Sequence, residues 1–321
     1  MELLQAPTRE YRTWTEDSRR WALYRPRADD IVIATYPKCG TTWTQRIVAS
    51  LVFKTAEPVT LKDHSPWIDC RFLMSEAQLE KAMASLTHRR FFKSHLPLDG
   101  LPLYDQVKYI HVARDGRDAA LSWHNHVMGY QPAMTEKLDE IGMKEPLLGK
   151  PFPTPHPNPA DEFHRWLTES VCDWQSDGFP NTSYFHFQQS WWDQRHLPNL
   201  LMLHYTNLKA DLPGEIHRLA AFLEIELSAS LLDKIVAAAS LEAMRRDAAK
   251  LTPDIDQIFL GGAQRFLNRG IGGRWKGLYR DEDLALYEDK ITHLLTPDCA
   301  QWLEQGGPLP RAGDRTTSCP R

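Results

Sequence analysis

The sequence predicts an α/β fold in which a parallel central sheet is flanked by helices, and two observations lead to this prediction. Short apolar runs rich in β-branched and aromatic residues predict strands at 30–36, 89–95, 107–114 and 199–205. Helical spacing of apolar residues predicts helices at 41–53, 75–86, 117–127, 159–171 and 212–225. Buried strands that alternate with helices favour a parallel sheet with helices on both faces.

A short turn separates the first strand from the first helix. The strand run "DIVIATY" is apolar and β-branched, as a strand buried on both faces requires. In the helix that follows, Trp43, Ile47 and Leu51 recur on one side. Between them the chain turns through Pro-Lys-Cys-Gly, and the helix begins at two threonines. This first βα unit therefore places a lysine, a glycine and two hydroxyls at a helix N-terminus.

The next two strand runs each end in a candidate functional side chain. The run "RRFFKSH" ends at His95, just before a Leu-Pro pair that stops further strand pairing. The run "VKYIHVAR" ends at Arg114, and the helix after it carries Ser122. Ligands of open α/β sheets bind beyond the carboxyl ends of the strands. We therefore expect both strand ends to face a ligand site.

Three stretches break the regular alternation. Residues 128–159 are rich in proline and glycine and are interpreted as a long surface insertion of the kind that often binds ligands. Residues 254–277 contain six glycines and four lysine or arginine residues. The tail 306–321 is polar and rich in proline, and we expect it to be flexible. None of these stretches marks a domain boundary, so a single domain over 1–321 is predicted, with its core at about 30–280.

Composition narrows the class of protein. The net charge of −4 and the pI near 6.4 exclude a generally basic protein that coats nucleic acid. Five scattered cysteines without a C-x-x-C pair fit reduced thiols in a cytoplasm, not a disulfide framework or a structural zinc site. The N-terminus lacks the apolar core of a signal peptide, and no run approaches the ~20 apolar residues of a membrane span. We expect a soluble cytoplasmic protein without nucleic-acid or membrane partners.

The turn "TYPKCGTTW" has the chemistry of an anion site. The N-terminus of a helix offers unpaired backbone N–H groups and the positive end of the helix dipole. Gly40 lets the backbone approach a ligand, Thr41 and Thr42 add hydroxyl donors, and Lys38 supplies a mobile charge. An ordinary turn with threonine capping is the alternative. A nucleotide P-loop would require G-x-x-x-x-G-K-[ST], and here the lysine precedes the only glycine.

This turn resembles the 5′-phosphosulfate loop of cytosolic sulfotransferases, T-Y-P-K-S-G-T-T-W, at eight of nine positions. The resemblance implies the P-loop-kinase-like sulfotransferase fold and the sulfuryl donor 3′-phosphoadenosine 5′-phosphosulfate (PAPS). It also implies that Lys38, Cys39, Gly40, Thr41 and Thr42 surround the phosphosulfate and that Trp43 lies against the adenine. Cys39 stands where the family has serine, so we expect a backbone N–H contact there without the hydroxyl.

A second motif concerns the 3′-phosphate of such a nucleotide. An arginine that leaves a strand and a serine eight residues later can meet on one phosphate, which the forked arginine and the hydroxyl both bind. The alternative is that Arg114 pairs with Asp115 or Asp118 at the surface. "VARDGRDAALSW" resembles the 3′-phosphate motif of the family, which implies that Arg114 and Ser122 bind this group.

The remaining nucleotide contacts are implied by the resemblance alone. "RFLNRGIGGRWKG" is similar to the glycine-rich segment R-K-G-x-x-G-D-W-K that folds over the nucleotide, with Asn268 in place of an arginine and Arg274 in place of an aspartate. Weaker matches lie in "HYTNLK" and "SLEAM". Together these segments imply nucleotide contacts from Tyr205, Ser240, Leu241, Met244, Phe266, Leu267, Asn268, Arg269 and Gly270.

Sulfuryl transfer needs a cation at the leaving oxygen and a base at the acceptor, and it does not require a metal. Lys38 is the candidate cation. His95 is the candidate base because "KSHLP" resembles the family's K-T-H-L-P, whose lysine, here Lys93, contacts the sulfuryl group. On an extended strand Lys93 and His95 point to the same side. The "HNH" pair His124 and His126 does not suit a metal or nuclease site, because i and i+2 lie on different helix faces.

The sequence thus predicts a PAPS-dependent sulfotransferase that acts in line on a hydroxyl or amine of a small, largely apolar acceptor and releases adenosine 3′,5′-bisphosphate (PAP). The acceptor could be a phenol, an alcohol, a steroid-like molecule or an amine, selected by the loops 61–74, 128–158 and 254–264. One alternative is a non-catalytic protein that binds the bisphosphate. Another is a nucleotide kinase, which would need the missing P-loop glycine and a magnesium-binding carboxylate where Arg114 stands. The dimer motif of the family is not recognisable, so no oligomeric state is predicted.

Overall fold

The structure is a computed structural model and describes residues 1–310. The strands are β1 (Leu3–Gln5), β2 (Ile31–Thr35), β3 (Phe91–Ser94), β4 (Leu103–Tyr104), β5 (Lys108–Ala113) and β6 (Leu200–His204). The first helices are α1 (Thr41–Val52), α2 (Leu61–His64), α3 (Glu76–Ser85), α4 (Gly116–Val127), α5 (Pro132–Lys144), α6 (Pro159–Thr168), α7 (Tyr184–Trp192) and α8 (Tyr205–Ala210). They are followed by α9 (Leu212–Phe222), α10 (Ala229–Ala238), α11 (Leu241–Arg246), α12 (Ala248–Leu251), α13 (Ile255–Ile258), α14 (Gly262–Phe266), α15 (Asp281–Leu294) and α16 (Pro297–Gln305). Two 3₁₀ helices span Ser18–Leu23 and Leu98–Gly100.

The central sheet has four parallel strands in the order β3-β2-β5-β6. This confirms the predicted α/β class, and all four predicted strands are its members. In register, Ile33 lies between Lys93 on one side and Ile110 on the other. Because the strands are parallel, their carboxyl ends meet at one edge. His95, Arg114 and Tyr205 directly follow the ends of β3, β5 and β6, and Lys38 lies three residues after the end of β2.

Alternate residues of the strands pack on opposite faces of the sheet, as a period of two requires. Ile31 and Ile33 pack with apolar residues of α1, α9 and α10 on one face. Val32 and Ala34 pack on the other face, with aromatic residues of α6, α7 and α15. Helices therefore cover both faces of the sheet and leave its carboxyl edge open for the site.

The structure corrects the interpretation of residues 128–159 as a long surface insertion. It contains the thirteen-residue helix α5, and Met134 and Leu138 of this helix are buried in a third apolar cluster with Trp14, Trp123 and Phe259. Proline at 132 does not break this helix, because it occupies the first helical position, where no N–H is needed. The prolines that suggested a loop lie after the helix, at 151–159.

The tail is likewise more ordered at its start than expected. The N–H of Gly307 donates to Asn207 Oδ1 at 2.7 Å, and its carbonyl accepts from Asn207 Nδ2 and Trp302 Nε1. Residues 311–321, which carry the rest of that prediction, lie outside the described residues. Over the described part of the chain, no helix is both long and apolar enough to cross a bilayer.

Candidate active site

The turn between β2 and α1 has the backbone geometry of an anion loop. Lys38 and Gly40 both adopt positive φ, 71° and 110°. A Cβ at position 40 would also approach the Tyr205 ring to 3.2 Å, so glycine is needed for both conformation and space. Among residues 1–310 no side chain caps α1, and the first turn of this helix carries no acidic residue. The N–H groups and dipole at this end are therefore available to a ligand.

Cys39, which was predicted to contact the phosphosulfate through its backbone N–H, does not line the cavity. Its N–H donates to the Tyr36 carbonyl at 3.2 Å within the turn, and its side chain is fully buried in the core. Burial raises the pKa of its thiol to about 12. The turn itself uses that donor, so the backbone contact from Cys39 to a phosphosulfate stays a prediction, and it would require this hydrogen bond to be shared or released.

Lys38 extends into a cavity together with a histidine from α4. Its Nζ lies 3.0 Å from Nδ1 of His126. Burial, together with the charges of Lys93 and Arg114, lowers the pKa of Lys38 to about 7. Burial and the same lysines hold the pKa of His126 well below its usual value, so its neutral ring accepts a hydrogen bond from Lys38. A lysine with this pKa is poised to gain charge when an anion enters.

His95 is held in a single tautomer by the backbone. Its Nδ1 lies 2.6 Å from the Thr35 carbonyl oxygen, which can only accept, so Nδ1 carries the proton and Nε2 is the free base. The backbone N–H of His95 donates to Oδ2 of Asp69, which also accepts from Trp67 Nε1. Burial and the nearby Lys93 and Lys38 hold the pKa of His95 well below its usual value. The ring is therefore neutral at physiological pH.

Lys93 lies on the same side of β3 as His95, as the alternation predicted, and both line the cavity. Its Nζ is 3.6 Å from the centre of the Trp67 ring, a cation–π contact. Burial lowers the pKa of Lys93 to about 8. The ring edge of Trp67 also meets His95, with 4.8 Å between ring centres. Trp67 thus fixes the positions of both candidate catalytic side chains.

Arg114 is not a surface arginine. It is only 8% exposed, its Nη1 donates to the Lys38 carbonyl at 3.1 Å, and its guanidinium lies 4.4 Å from the Tyr205 ring centre. The two aspartates considered as its partners are engaged elsewhere, since Asp115 accepts from Arg117 and Asp118 accepts from the N–H of Gly273. Within residues 1–310, Nε of Arg114 has no hydrogen-bond partner. The serine from the same motif, Ser122, lines the cavity with it.

Segments far apart in sequence form the other wall. Trp43 and Tyr205 meet edge to face at 5.6 Å. Arg245 donates to the carbonyls of Leu267 and Asn268, each at 2.8 Å, which fastens the glycine-rich segment to α11. Lys209 donates to the Gly270 carbonyl at 2.5 Å. These contacts hold the glycine-rich segment beside the anion loop.

One cavity of about 560 Å³ joins all of these groups. Except for Cys39, every residue predicted to bind the nucleotide lines it: Lys38, Gly40, Thr41, Thr42, Trp43, Arg114, Ser122, Tyr205, Ser240, Leu241, Met244, Phe266, Leu267, Asn268, Arg269 and Gly270. The three loops predicted to select the acceptor also contribute, through residues such as Phe72, Tyr130 and Phe259. The structure thus brings the predicted nucleotide and acceptor regions into one continuous space.

The polar residues of this cavity that were not predicted include His126 and Glu16. His126 was considered only as half of a metal pair, although its i+4 spacing from Ser122 would have placed it on the same face of α4. Glu16 lies in the N-terminal segment, carries no motif and lines the cavity beside Lys93. Its position depends on tertiary contacts that no local pattern reveals.

Comparison with known proteins gives a consistent result. The sulfotransferase domain family matches residues 28–302. A glycolipid sulfotransferase of Mycobacterium bovis (strain BCG / Pasteur 1173P2) is 35% identical over 316 residues, which cover 92% of this chain and 94% of that protein. Sulfotransferase 1E1 of Homo sapiens is 28% identical over 264 residues, 79% of each chain.

Solved structures show the same fold. Retinol dehydratase in complex with androsterone and the inactive cofactor PAP superposes with a TM-score of 0.67 at 23% identity, covering 88% of this chain and 87% of that one. Mouse sulfotransferase SULT7A1 complexed with PAP superposes with a TM-score of 0.66 at 19% identity, covering 89% and 91%. The chain therefore belongs to the sulfotransferase family and is a PAPS-dependent sulfotransferase.

Proposed function

We propose that this enzyme moves the sulfuryl group of PAPS to a hydroxyl or amine of a small, largely apolar acceptor, with His95 as base and with Lys38 and Lys93 stabilising charge. One observation carries the proposal. Lys38, Lys93 and Arg114 converge on a single cavity, and within residues 1–310 none of them forms an ion pair with a carboxylate. Buried cations that lack anionic partners are costly unless a ligand supplies the charge.

The chemistry of these donors fits a nucleotide with phosphate groups at both ends. Nε of Arg114, buried and without a partner among the described residues, suits the 3′-phosphate, together with Ser122 and Arg269. The uncapped N-terminus of α1, with Lys38, suits the phosphosulfate. PAPS, when bound, supplies an activated sulfuryl group on a phosphate leaving group.

The protein residues then have separate tasks. Nε2 of His95 takes the proton of the acceptor hydroxyl, because Nδ1–H is already committed to the Thr35 carbonyl. Lys38 meets the negative charge that develops on the leaving oxygen, and Lys93 meets the sulfuryl oxygens. Because these cations and the amides of α1 can balance the charge, the proposal requires no metal ion.

The acceptor side of the cavity is lined largely by aromatic and aliphatic side chains, including Trp67, Phe72, Tyr130, Ile258 and Phe259. Such a lining suits an apolar body that carries a hydroxyl. The relatives and structural neighbours include glycolipid sulfotransferases and a complex with androsterone. We propose a hydroxyl-bearing lipid-like or steroid-like molecule as the acceptor. We further propose that residues 1–321 form one domain and that the protein is cytoplasmic. Within residues 1–310 the thiols of Cys39, Cys70, Cys172 and Cys299 form no disulfide with one another, which fits that compartment.

The direct test is transfer of ³⁵S-sulfate from PAPS to 2-naphthol by the purified protein, measured beside PAP binding by calorimetry. We expect both transfer and binding. Binding of PAP without transfer to any phenol, alcohol or amine in a broad panel would instead indicate a non-catalytic bisphosphate-binding protein. ATP-dependent phosphorylation in place of transfer would indicate a kinase.

The assignment of the 3′-phosphate is tested by Arg114→Ala. We expect PAP binding to weaken by roughly 1.5–3 kcal/mol, the scale of a hydrogen bond to a charged group. Adenosine 5′-phosphate, which lacks the 3′-phosphate, should bind almost as it does to the wild type. Arg117→Ala is the matched control, because this neighbouring arginine already pairs with Asp115, Glu288 and Glu304. Equal weakening for both nucleotides would make Arg114 a structural residue.

A further inference from the structure

Glu16 is a carboxyl group in the cavity wall that the reaction as proposed does not use. It is 4% exposed and lines the cavity. Its Oε2 accepts hydrogen bonds from the hydroxyls of Thr13 and Thr15, the latter at 2.6 Å. In the part of the chain that the structure describes, the side-chain hydrogen bonds of Glu16 all go to Oε2, none goes to Oε1, and Glu16 forms no salt bridge. One of its oxygens is therefore held in place, and the other is free to meet a ligand.

The backbone places Glu16 on the same wall as the reaction centre. Trp67 pairs with Lys93 in a parallel bridge, and three residues later Cys70 pairs with Glu16 in an antiparallel bridge. The short segment 67–70 therefore connects the wall at His95 to the wall at Glu16. Burial raises the pKa of the Glu16 carboxyl to about 7, and the nearby positive charge of Lys93 opposes this rise. Glu16 and His95 thus line one cavity, and this segment links the two positions.

Glu16 differs from the other carboxylates of the cavity. Among residues 1–310, the acidic side chains that line it are Glu16, Asp118 and Asp254. Both oxygens of Asp118 lie 2.9 Å from the N–H of Gly273, and Asp254 pairs with Lys62 at the mouth. Asp254 also leaves Oδ1 without a protein donor, but its side chain is 44% exposed and paired with Lys62. In this set, Glu16 is the carboxyl that is nearly fully buried, unpaired with a cation and left with one oxygen without a protein donor. A carboxylate oxygen that faces the cavity without a protein donor can accept a hydrogen bond from a ligand.

The surroundings decide which donor fits. Lys38, Lys93 and Arg114 already make the cavity cationic, and a substrate ammonium would add repulsion. A neutral hydroxyl donates without adding charge. The rings of Trp67 and Phe72, 5.6 Å apart and edge to face, offer apolar surface beside it. A saturated ring that bears several hydroxyls offers such a donor, and its C–H faces can pack against the aromatic rings of Trp67 and Phe72.

We propose that Glu16 is a specificity-determining residue whose free carboxylate oxygen accepts a hydrogen bond from a second hydroxyl of the acceptor, so that the enzyme selects polyhydroxylated acceptors, such as a sugar with an apolar tail, over monohydroxylic ones. The inference rests on the proposed function, because it concerns the acceptor end of the same cavity. Glu16 acts on the choice of acceptor and not on the proton transfer, which remains with His95.

The test compares Glu16→Gln with the wild type on octyl β-glucoside and on 2-naphthol. Because two threonine hydroxyls donate to Oε2, the amide oxygen takes that position and the amide NH₂ replaces the free oxygen. At pH 8, above the pKa of about 7, the wild-type carboxyl is largely ionised, and the variant loses the charged hydrogen bond to the substrate hydroxyl. We expect the ratio of kcat/KM for the glucoside to that for naphthol to fall roughly 10- to 100-fold. PAP affinity and Tm report whether the variant is folded.

Two controls make the result specific. Glu10→Gln removes a carboxylate of the same N-terminal segment that lies outside the cavity and is 62% exposed, and it should leave the ratio within about twofold. The second control uses octyl glucosides that each lack one hydroxyl. With the wild type, kcat/KM for one of them should fall by the same factor relative to octyl β-glucoside. Glu16→Gln should not lower kcat/KM for that deoxy substrate further, because the missing hydroxyl and the carboxylate form one interaction.

Several outcomes would overturn the inference. These are equal losses on both acceptors, a wild type that sulfates naphthol but not the glucoside, or a selective loss on octylamine instead of the glucoside. A wild type that binds PAP and sulfates no acceptor would overturn the proposed function itself, and this inference with it.

Discussion

Replacing Lys38 by methionine is expected to lower kcat by about 10²–10³, the scale of removing one donor from a site where transition-state charge develops. Affinity for PAP should fall much less, by about tenfold, because the α1 N-terminus and Arg114 still hold the nucleotide. Methionine keeps the length of the side chain and removes its charge. The measurement is single-turnover transfer beside calorimetric PAP binding.

Lys62→Met is the matched control. Lys62 also lines the cavity, but its charge is already paired with Asp254 and it is 42% exposed. We expect its kcat to stay within about threefold of the wild type. If Lys38→Met lost as much in PAP affinity as in kcat, the lysine would serve only binding and its catalytic role would be wrong.

Because the pKa of Lys38 is lowered, its interaction with PAP can be measured as proton uptake on binding. In the free enzyme its pKa is about 7, and an anion in the cavity raises it, so the bound state holds more protons than the free state. PAP affinity should therefore be full below pH 7 and decline as pH rises above it, until the higher pKa of the bound state is passed. Calorimetry at pH 8 in buffers of different ionisation enthalpy should show proton uptake, reduced in Lys38→Met. Lys93, whose pKa is lowered to about 8, supplies the remainder.

The sequence predicted what local chemistry determines. Runs of β-branched residues such as Ile31–Thr35 form strands wherever both faces are covered, so all four strands of the parallel sheet were found. The resemblance named Lys38, His95 and Arg114, and parallel topology explains why they meet, since each follows the end of a strand in the same sheet.

Other features depend on contacts between distant segments. Helix α5 was missed because nearby prolines outweighed the i, i+4 pair of Met134 and Leu138. The contact between Lys38 and His126 joins residues 88 positions apart, and Glu16 reaches the cavity only by pairing with Cys70. The lowered pKa of Lys38 likewise results from burial and from the charges of Lys93 and Arg114, and that of Lys93 results from burial, none of which a sequence displays.

Removing the imidazole of His95 is expected to have the largest effect of all. His95→Ala should lower turnover by about 10²–10⁴ with a poorly acidic acceptor such as an aliphatic alcohol. The loss should shrink with 4-nitrophenol, which is already partly ionised and needs less help from a base. PAP affinity should remain near that of the wild type, because a neutral ring contributes little to binding a polyanion. The measurement is kcat across a series of acceptors of graded pKa.

The acid limb of the wild-type pH profile of kcat/KM is an independent test of His95 as the base. The base form of His95 is required, so kcat/KM falls as pH drops through the pKa of the free enzyme. Burial and the two lysines place that pKa well below 6.5. We therefore expect no acid loss from this residue between pH 8 and 6.5, and the decline should begin only at lower pH. An acid limb centred at 6.5 or above would contradict the buried, lysine-flanked histidine seen here.

Two amide variants separate the base from a structural role. In His95→Asn the amide nitrogen can keep the hydrogen bond that Nδ1 makes to the Thr35 carbonyl, while no group replaces the lone pair of Nε2. His95→Gln places its amide near the Nε2 position and gives up the bond to Thr35. If His95 is the base, both variants lose as much turnover as alanine. If the ring only supports the Thr35 carbonyl, asparagine restores activity and glutamine does not, and the proton of the acceptor must then leave by another group.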